Sequence, residues 1–319
     1  MGGPDAASRS SHGVRRVTCG AGRRLECVPN VSEGRNASLI GRLAEVIRAE
    51  GAELVDVHSD VDHHRSVFTC FGVVPVLERA MLALARAAVE LIDLRAHQGV
   101  HPRVGALDVV PFVPLWGASM ADAVEVARRV GRSMAQELAL PVYFYGAAAL
   151  REERRELAAI RLGGFEHLGE RIGLADELPD AGPSVLHPTA GATIVGARDP
   201  LIAFNAMLDT VDVEVARRIA RAIRESSGGL VAVRALGLWL PSRGRAQVSM
   251  NLLDYRRTPP RLVAERIQTC ARDADTKVSE YELVGCAPAD ALADWPSTLA
   301  PIGGLKPSQI LDPSLFSAT

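Results

Sequence analysis

LIAFNAMLDTVDVEVARRIARAIRE, residues 201–225, decides the fold. Residues 201–208 read as a strand, and residues 213–225 as a helix opened by acidic residues where the helix dipole favours them. Two strands follow, residues 230–240 and 246–253, joined by a turn around residues 241–245. Pro259 and Pro260 then start a helix running to about Arg272, a place where proline is tolerated. Residues 277–284 close the set with a further strand. The order is βαββαβ, a split-βαβ plan.

Working outward, the first half of the chain carries the same order. RLECVP (24–29) is strand-like, and residues 36–50 place Leu39, Ile40, Leu43, Val46 and Ile47 at helical spacing before Gly51 ends the helix. Residues 53–58 and 66–71 are strands rich in β-branched and aromatic residues. A long helix over 74–96 leads to a strand at 106–113, whose internal Pro111 marks an edge or a bulge. A further helix (120–138) and strand (142–145) complete this half. One plan used twice predicts an α+β chain of duplicated ferredoxin-like (βαββαβ) subdomains, with facing sheets and a cleft between them. The expected divisions are a disordered leader at 1–23, an N-terminal subdomain at 24–199, a C-terminal subdomain at 200–293 and a Pro-rich tail at 294–319. The linking stretch, 163–196, is rich in Gly and Pro and too long for a plain connector, which points to function.

A hydrophobic fraction of 48% and a charged fraction of 23% are those of an ordinary globular protein. A net charge of −2 gives no global field for nucleic acid or an anionic membrane. No apolar run reaches the roughly 18 residues of a spanning helix. Five scattered cysteines without a C-x-x-C pair fit reduced thiols in a cytoplasm. The first residues are small, polar and basic and lack the apolar core of a secretory signal, although a transit peptide shares that composition.

Four strings are polar or glycine-rich where a scaffold has no need of it. CVPNVSEGR (27–35) ends beside a helix N-terminus, and reads either as an anion seat or as an ordinary capped turn. DVHSDVDHHRSV (56–67) packs three histidines, three aspartates and Arg65 into a hairpin. It reads as a metal site, as a polar loop, or as a substrate wall in which Arg65 holds a carboxylate and an aspartate orients a histidine. HQGVHPRVGALDV (97–109) spaces two histidines by four, but Gly99 and Pro102 oppose a helix and the acid of a zinc-protease motif is absent. A loop histidine there suits acid-base work near a fixed cation. GPSVLHPTAGATIVGAR (182–198) allows close backbone approach to a flat ligand and leads into a strand. No phosphate loop, dinucleotide fingerprint or nucleophile elbow is present.

In this order and with these gaps, ECVPNVSEGR, the hairpin ending Arg65-Ser66-Val67, HPRVGALDVVPFVP (101–114), PVYFYG (141–146), HPTAGATIVGAR, LIAFN (201–205) and QVSMNLLD (247–254) resemble the formiminotransferase family. The resemblance covers roughly residues 24–288. It implies transfer of a formimino group from N-formimino-glutamate to tetrahydrofolate, a folate tunnel between the subdomains, a homodimer and a place in histidine degradation. It implies that His101 is the acid-base residue and that Gly182, Pro183, Ser184, Val185, Leu186, His187, Pro188, Thr189, Ala190 and Gly191 bind folate. Asp60 or Asp62 is the expected partner orienting His101, and Arg65 and Arg103 are expected to hold substrate carboxylates. His64 stands where relatives usually have Asn, which bears on substrate choice. Tetrahydrofolate is a co-substrate in this scheme, and no metal is required. A cyclo-ligase-like enzyme acting on 5-formyltetrahydrofolate, or a folate-binding protein without catalysis, is the alternative.

Overall fold

The computed structural model describes residues 23–115 and 117–316. The expected leader, Cys19 included, therefore lies outside the described residues except for Arg23, as do the last three residues of the tail.

The first half runs β1 (Arg24–Cys27), β2 (Asn30–Val31), α1 (Ala37–Ala49), β3 (Glu53–Asp60), β4 (Arg65–Val73), α2 (Val74–Leu91), β5 (Leu107–Pro114), α3 (Met120–Leu138) and β6 (Val142–Gly146), then short helices α4 (Leu157–Ile160) and α5 (Gly164–Arg171), and β7 (Thr193–Ala197). The second half runs β8 (Ile202–Leu208), α6 (Val213–Ile223), β9 (Val233–Leu240), β10 (Arg245–Leu252), α7 (Pro260–Arg272) and β11 (Val278–Val284). The architecture is mixed α+β.

In the first sheet β1 and β2 form one broken line between β4 and β5, β3 flanks β4, and β7 and β6 extend the sheet in parallel beyond β5. The second sheet is antiparallel in the order β9-β10-β8-β11, with a short strand, Ile302–Gly303, added in parallel beside β11. Helices cover one face of each. Ile40, Leu43 and Ile47 of α1 pack with Leu77, Met81 and Leu84 of α2 and Val126, Val130 and Met134 of α3 over the first sheet, at the i, i+3/i+4 spacing of an apolar stripe. Ile219 and Ile223 of α6 and Val263 and Ile267 of α7 do the same over the second. Alternate residues of both sheets therefore point the other way, into a shared interior.

Local chemistry explains the boundaries. Asn36 caps α1, its side chain accepting the Leu39 N–H at 3.1 Å, and Ser119 and Asp122 form a capping box on α3. The helix expected over 74–96 stops at Leu91. Ile92 turns extended, and Asp93 caps a separate 3-10 turn, Leu94–Ala96, by accepting the Arg95 N–H at 3.0 Å. Pro111 lies in a central strand, so the edge alternative is corrected. It is tolerated because β1 and β2 break opposite it, and its carbonyl accepts the Val28 N–H at 3.2 Å.

The tail is a structural part of both halves. Trp295 meets Tyr281 and Phe204 edge-on, with centroids 5.1 and 5.6 Å away, inside the second core. Further on, Leu311 and Leu315 pack with Val55, Phe71 and Leu115 of the first half, and Lys306 Nζ donates to buried Asp56 at 3.1 Å. No helix among the described residues is long and apolar enough to cross a membrane.

Candidate active site

Strand alternation puts polar side chains on the inward faces of both sheets. Glu26 and Asn30 come from the β1–β2 line, His58 and Asp60 from β3, Arg65 from β4, Tyr145 from β6, and Asn205, Ser249 and Asn251 from β8 and β10. They line a cleft of about 1080 Å3, counting the space open to solvent at its mouth. Loops add His63, His101, Arg161 and Arg198 to its wall.

His101 sits half-buried in the loop entering β5. Arg65 Nη1 lies 2.8 and 3.0 Å from its two ring nitrogens, and Nδ1 is 2.8 Å from the Pro102 carbonyl. The arrangement that satisfies donors has Nδ1–H donating to Pro102 and Nε2 accepting from Arg65. Burial holds the His101 pKa well below the usual 6.5, and the Arg65 and Arg161 charges push it the same way. A neutral imidazole with its lone pair on Nε2, engaged by Arg65, is thus fixed in the cleft. His63 stands edge-on to it, ring centroids 5.8 Å apart, with its own Nε2 buried and unpartnered.

Arg65, expected as a carboxylate holder, lines the cleft and forms no ion pair among the described residues. Its Nε donates to Asn30 Oδ1 at 2.8 Å, and Nη2 also reaches that oxygen. Burial, then the nearby Arg161 charge, lower its pKa to about 9, so it remains a cation at neutral pH.

The other expected residues are placed differently. Neither Asp60 nor Asp62 hydrogen-bonds or ion-pairs with His101; the Pro102 carbonyl has that position. Asp60 lines the cleft, but its Oδ1 is used within the hairpin, accepting the N–H groups of Asp62 and His63 at 2.8 Å each. Asp62 reaches the second half, where its two oxygens accept Ser242 N–H at 3.0 Å and Ser242 Oγ–H at 2.6 Å. Asp62→Ala is expected to lower unfolding stability by about 1.5–3 kcal/mol, the range for hydrogen bonds to a charged group. Urea unfolding checks this.

Arg103 is engaged within the chain. It binds Glu166 through two nitrogens at 2.9 and 3.0 Å and gives Nε to His97 Nδ1 at 2.9 Å. Of residues 182–191, none lines the cleft. His187 organises them into a turn, its Nδ1 accepting Ala190 N–H at 3.1 Å, while the Thr189 and Ala190 carbonyls accept from Leu94 and Ala106.

His64 is also off the cleft wall. Its backbone φ is +50°, a left-handed conformation in which Asn and His are both enriched. Its ring stacks on His97 at 4.2 Å, with Nε2 3.3 Å from Glu33. An Asn at this position would be accommodated by the same left-handed turn. His64→Asn is expected to leave kcat and KM within about twofold, because the side chain stands off the cleft wall and Asn suits the same left-handed turn. Steady-state kinetics measures it.

One further sequence alternative resolves. The Ser32-Glu33-Gly34 turn is an ordinary cap, because the Glu33 carboxylate itself accepts the Arg35 and Asn36 N–H groups at 2.7 and 3.0 Å. Gly34 is required there, since a Cβ would stand 2.2 Å from the Asp60 carbonyl. No group of three or more His, Cys, Asp or Glu among the described residues is arranged to hold a metal ion.

Sequence reasoning missed Glu26, His63, Arg161 and Arg198. The available signal was parity. In ECVPN, Glu26 and Asn30 share the strand face opposite Cys27, which packs under the helices.

The description "Formiminotransferase domain, N-terminal subdomain" matches residues 24–198, and "Formiminotransferase domain" matches residues 203–297. Glutamate formimidoyltransferase of Streptococcus pyogenes serotype M1 is 42% identical over 271 residues, covering 85% of this chain and 91% of that protein. The protein of the same name from Thermoplasma acidophilum is 41% identical over 297 residues, covering 92% and 98%. Formimidoyltransferase-cyclodeaminase of Rattus norvegicus is 42% identical over 277 residues, 85% of this chain but 51% of that larger protein. The chain belongs to the formiminotransferase family.

Proposed function

We propose that this chain is a glutamate formimidoyltransferase, moving the formimino group of N-formimino-L-glutamate to tetrahydrofolate and releasing 5-formiminotetrahydrofolate and glutamate. The observation that carries the reading is the pairing of His101 with an Arg65 that forms no ion pair among the described residues, inside a cleft lined from both sheets. Its relatives of nearly equal length carry that name.

In the reaction, N5 of tetrahydrofolate attacks the amidine carbon and the C=N electrons move onto nitrogen. The tetrahedral intermediate loses a proton from N5, gains one on the glutamate nitrogen, and breaks that C–N bond. Neutral His101 takes the first proton on Nε2 and returns it to the leaving nitrogen. The Pro102 carbonyl keeps Nδ1–H in place, so the tautomer is set before substrate arrives. A carboxylate of formiminoglutamate competes for Arg65, drawing its Nη1 from His101 and freeing Nε2. Holding both reactants in one cleft supplies effective concentration, up to roughly 7–11 kcal/mol when orientation is good. These steps balance without a metal.

Several finer points belong to the same reading. Each half has its βαββαβ strands in the spatial order expected of a ferredoxin-like unit, which supports a duplication divided at 24–199 and 200–293, with 294–319 as the tail. Residues 182–191 would meet the folate beyond the cleft wall. A homodimer and a cytoplasmic location rest on the family resemblance.

Purified protein with tetrahydrofolate and formiminoglutamate, acidified to convert product into absorbing methenyltetrahydrofolate, tests the function. Signal that needs both substrates and no ATP supports it. Turnover of 5-formyltetrahydrofolate that depends on ATP, without transfer, overturns it in favour of a cyclo-ligase.

A further inference from the structure

Glu26 is a buried acid of the cleft that the proton shuttle leaves unused. It is 7% exposed and lines the cleft, and among the described residues its carboxyl forms no hydrogen bond or ion pair. Burial raises its pKa to about 7, opposed in part by the Arg198 charge. Its oxygens open onto the cleft, where a donor from outside the chain can reach them.

A second orphan stands beside it. Thr69 on β4 is 1% exposed, lines the same cleft, and has an Oγ1 without a hydrogen-bond partner. The β1–β4 register pairs Glu26 with Phe71, so Thr69 is its diagonal neighbour on the same face. Gly285 lies over Thr69, and a Cβ there would come within 2.9 Å of the hydroxyl oxygen. One end of the cleft therefore offers an unpaired carboxyl, an unpaired hydroxyl and a gap kept open by a glycine. The opposite end holds Asn30, Arg65 and His101. Glu26 and Asn30 are four residues apart on one strand line, about 13 Å at ~3.3 Å per residue. A fused two-ring system with a hydrogen bond at each end bridges a separation of that order.

The two substrates differ in which end they suit. Formiminoglutamate brings two carboxylates, which a carboxylate repels, and its amidine belongs at the reacting end. The tetrahydropterin brings an amino group and a ring N–H side by side on its pyrimidinone edge, the donor pair that matches the two oxygens of one carboxylate. The geometry points to Glu26 as the residue that seats the 2-amino-4-oxopyrimidine edge of tetrahydrofolate, presenting N5 toward His101. This rests on the transferase reading and extends it to a positioning and specificity residue.

Binding of tetrahydrofolate and of its 2-desamino analogue, measured by calorimetry on the full chain, tests the assignment. The unaltered protein is expected to prefer the amino-bearing ligand by roughly tenfold to hundredfold, and Glu26→Gln to reduce that preference to within about threefold. A merely structural role would lower affinity for both ligands and leave their ratio unchanged. Equal binding of the two ligands by the unaltered protein overturns the proposal without any variant. A preference that survives in Glu26→Gln overturns it too, and in both cases the transferase reading stands. Failure of the unaltered protein to bind either folate overturns the transferase reading and the assignment together.

Discussion

His101→Ala is expected to lower kcat by about 10²- to 10⁴-fold, the usual contribution of a positioned acid-base group, and to leave tetrahydrofolate affinity nearly unchanged. Formimino transfer moves one proton off N5 and one onto the leaving nitrogen, and His101 is the titratable group set up to carry both. Its Nδ1–H is bound to Pro102, its Nε2 faces Arg65 in the cleft, and its environment keeps it neutral. The same depressed pKa sets the pH behaviour. In the unfolded chain the imidazole titrates near ~6.5. In the folded protein it stays uncharged below that, so the acid limb of kcat/KM should lie below pH 6.5. Stability has the same sign. As pH falls from the unfolded value toward the lowered folded one, the unfolded chain takes a proton that the folded chain refuses, and stability is lost. The alanine variant lacks that acid-side loss. Single-turnover kinetics combined with folate titration separates the two effects, and a variant that turns over normally would remove His101 from the mechanism.

Much of the fold was legible because strand and helix periods differ and because turn residues fall between them. The site was only half legible, and the reason is visible in particular residues. His101 and Arg65 are separated by 36 positions, yet each was suspect locally: a loop histidine beside Pro-Arg, and an arginine closing a polar hairpin. Arg103 looked equally suitable until Glu166, from α5, occupied it through both terminal nitrogens. Asp62 looked catalytic because histidines are near in sequence, whereas its true partner, Ser242, is 180 positions away. Glu26 was hidden for a related reason. A strand's parity tells which residues share a face, but only the second sheet determines that this face borders a cleft. Partnering across the two halves is thus the information that local reading lacks.

Arg65→Met is expected to reduce kcat/KM for formiminoglutamate by about 10- to 150-fold, corresponding to the roughly 1.5–3 kcal/mol of a hydrogen bond to a charged group. The loss should appear chiefly as a higher KM, because in the proposed mechanism the guanidinium holds a carboxylate that takes no part in bond making or breaking. A second consequence is diagnostic. Burial is the main cause of the low His101 pKa, and the Arg65 charge is the next. Removing that charge leaves burial and Arg161 in place but lets the imidazole pKa rise, so the proton-accepting form is lost at a higher pH. The acid limb of kcat/KM should therefore move upward in Arg65→Met. Arg65→Lys separates the two roles. Lysine keeps the positive charge but not the planar fork that donates to Asn30 and a substrate at once. Its KM should rise while its acid limb stays near that of the unaltered enzyme. A limb that does not move in Arg65→Met would mean that burial and Arg161 suffice to keep His101 neutral, and Arg65 would then serve only in binding.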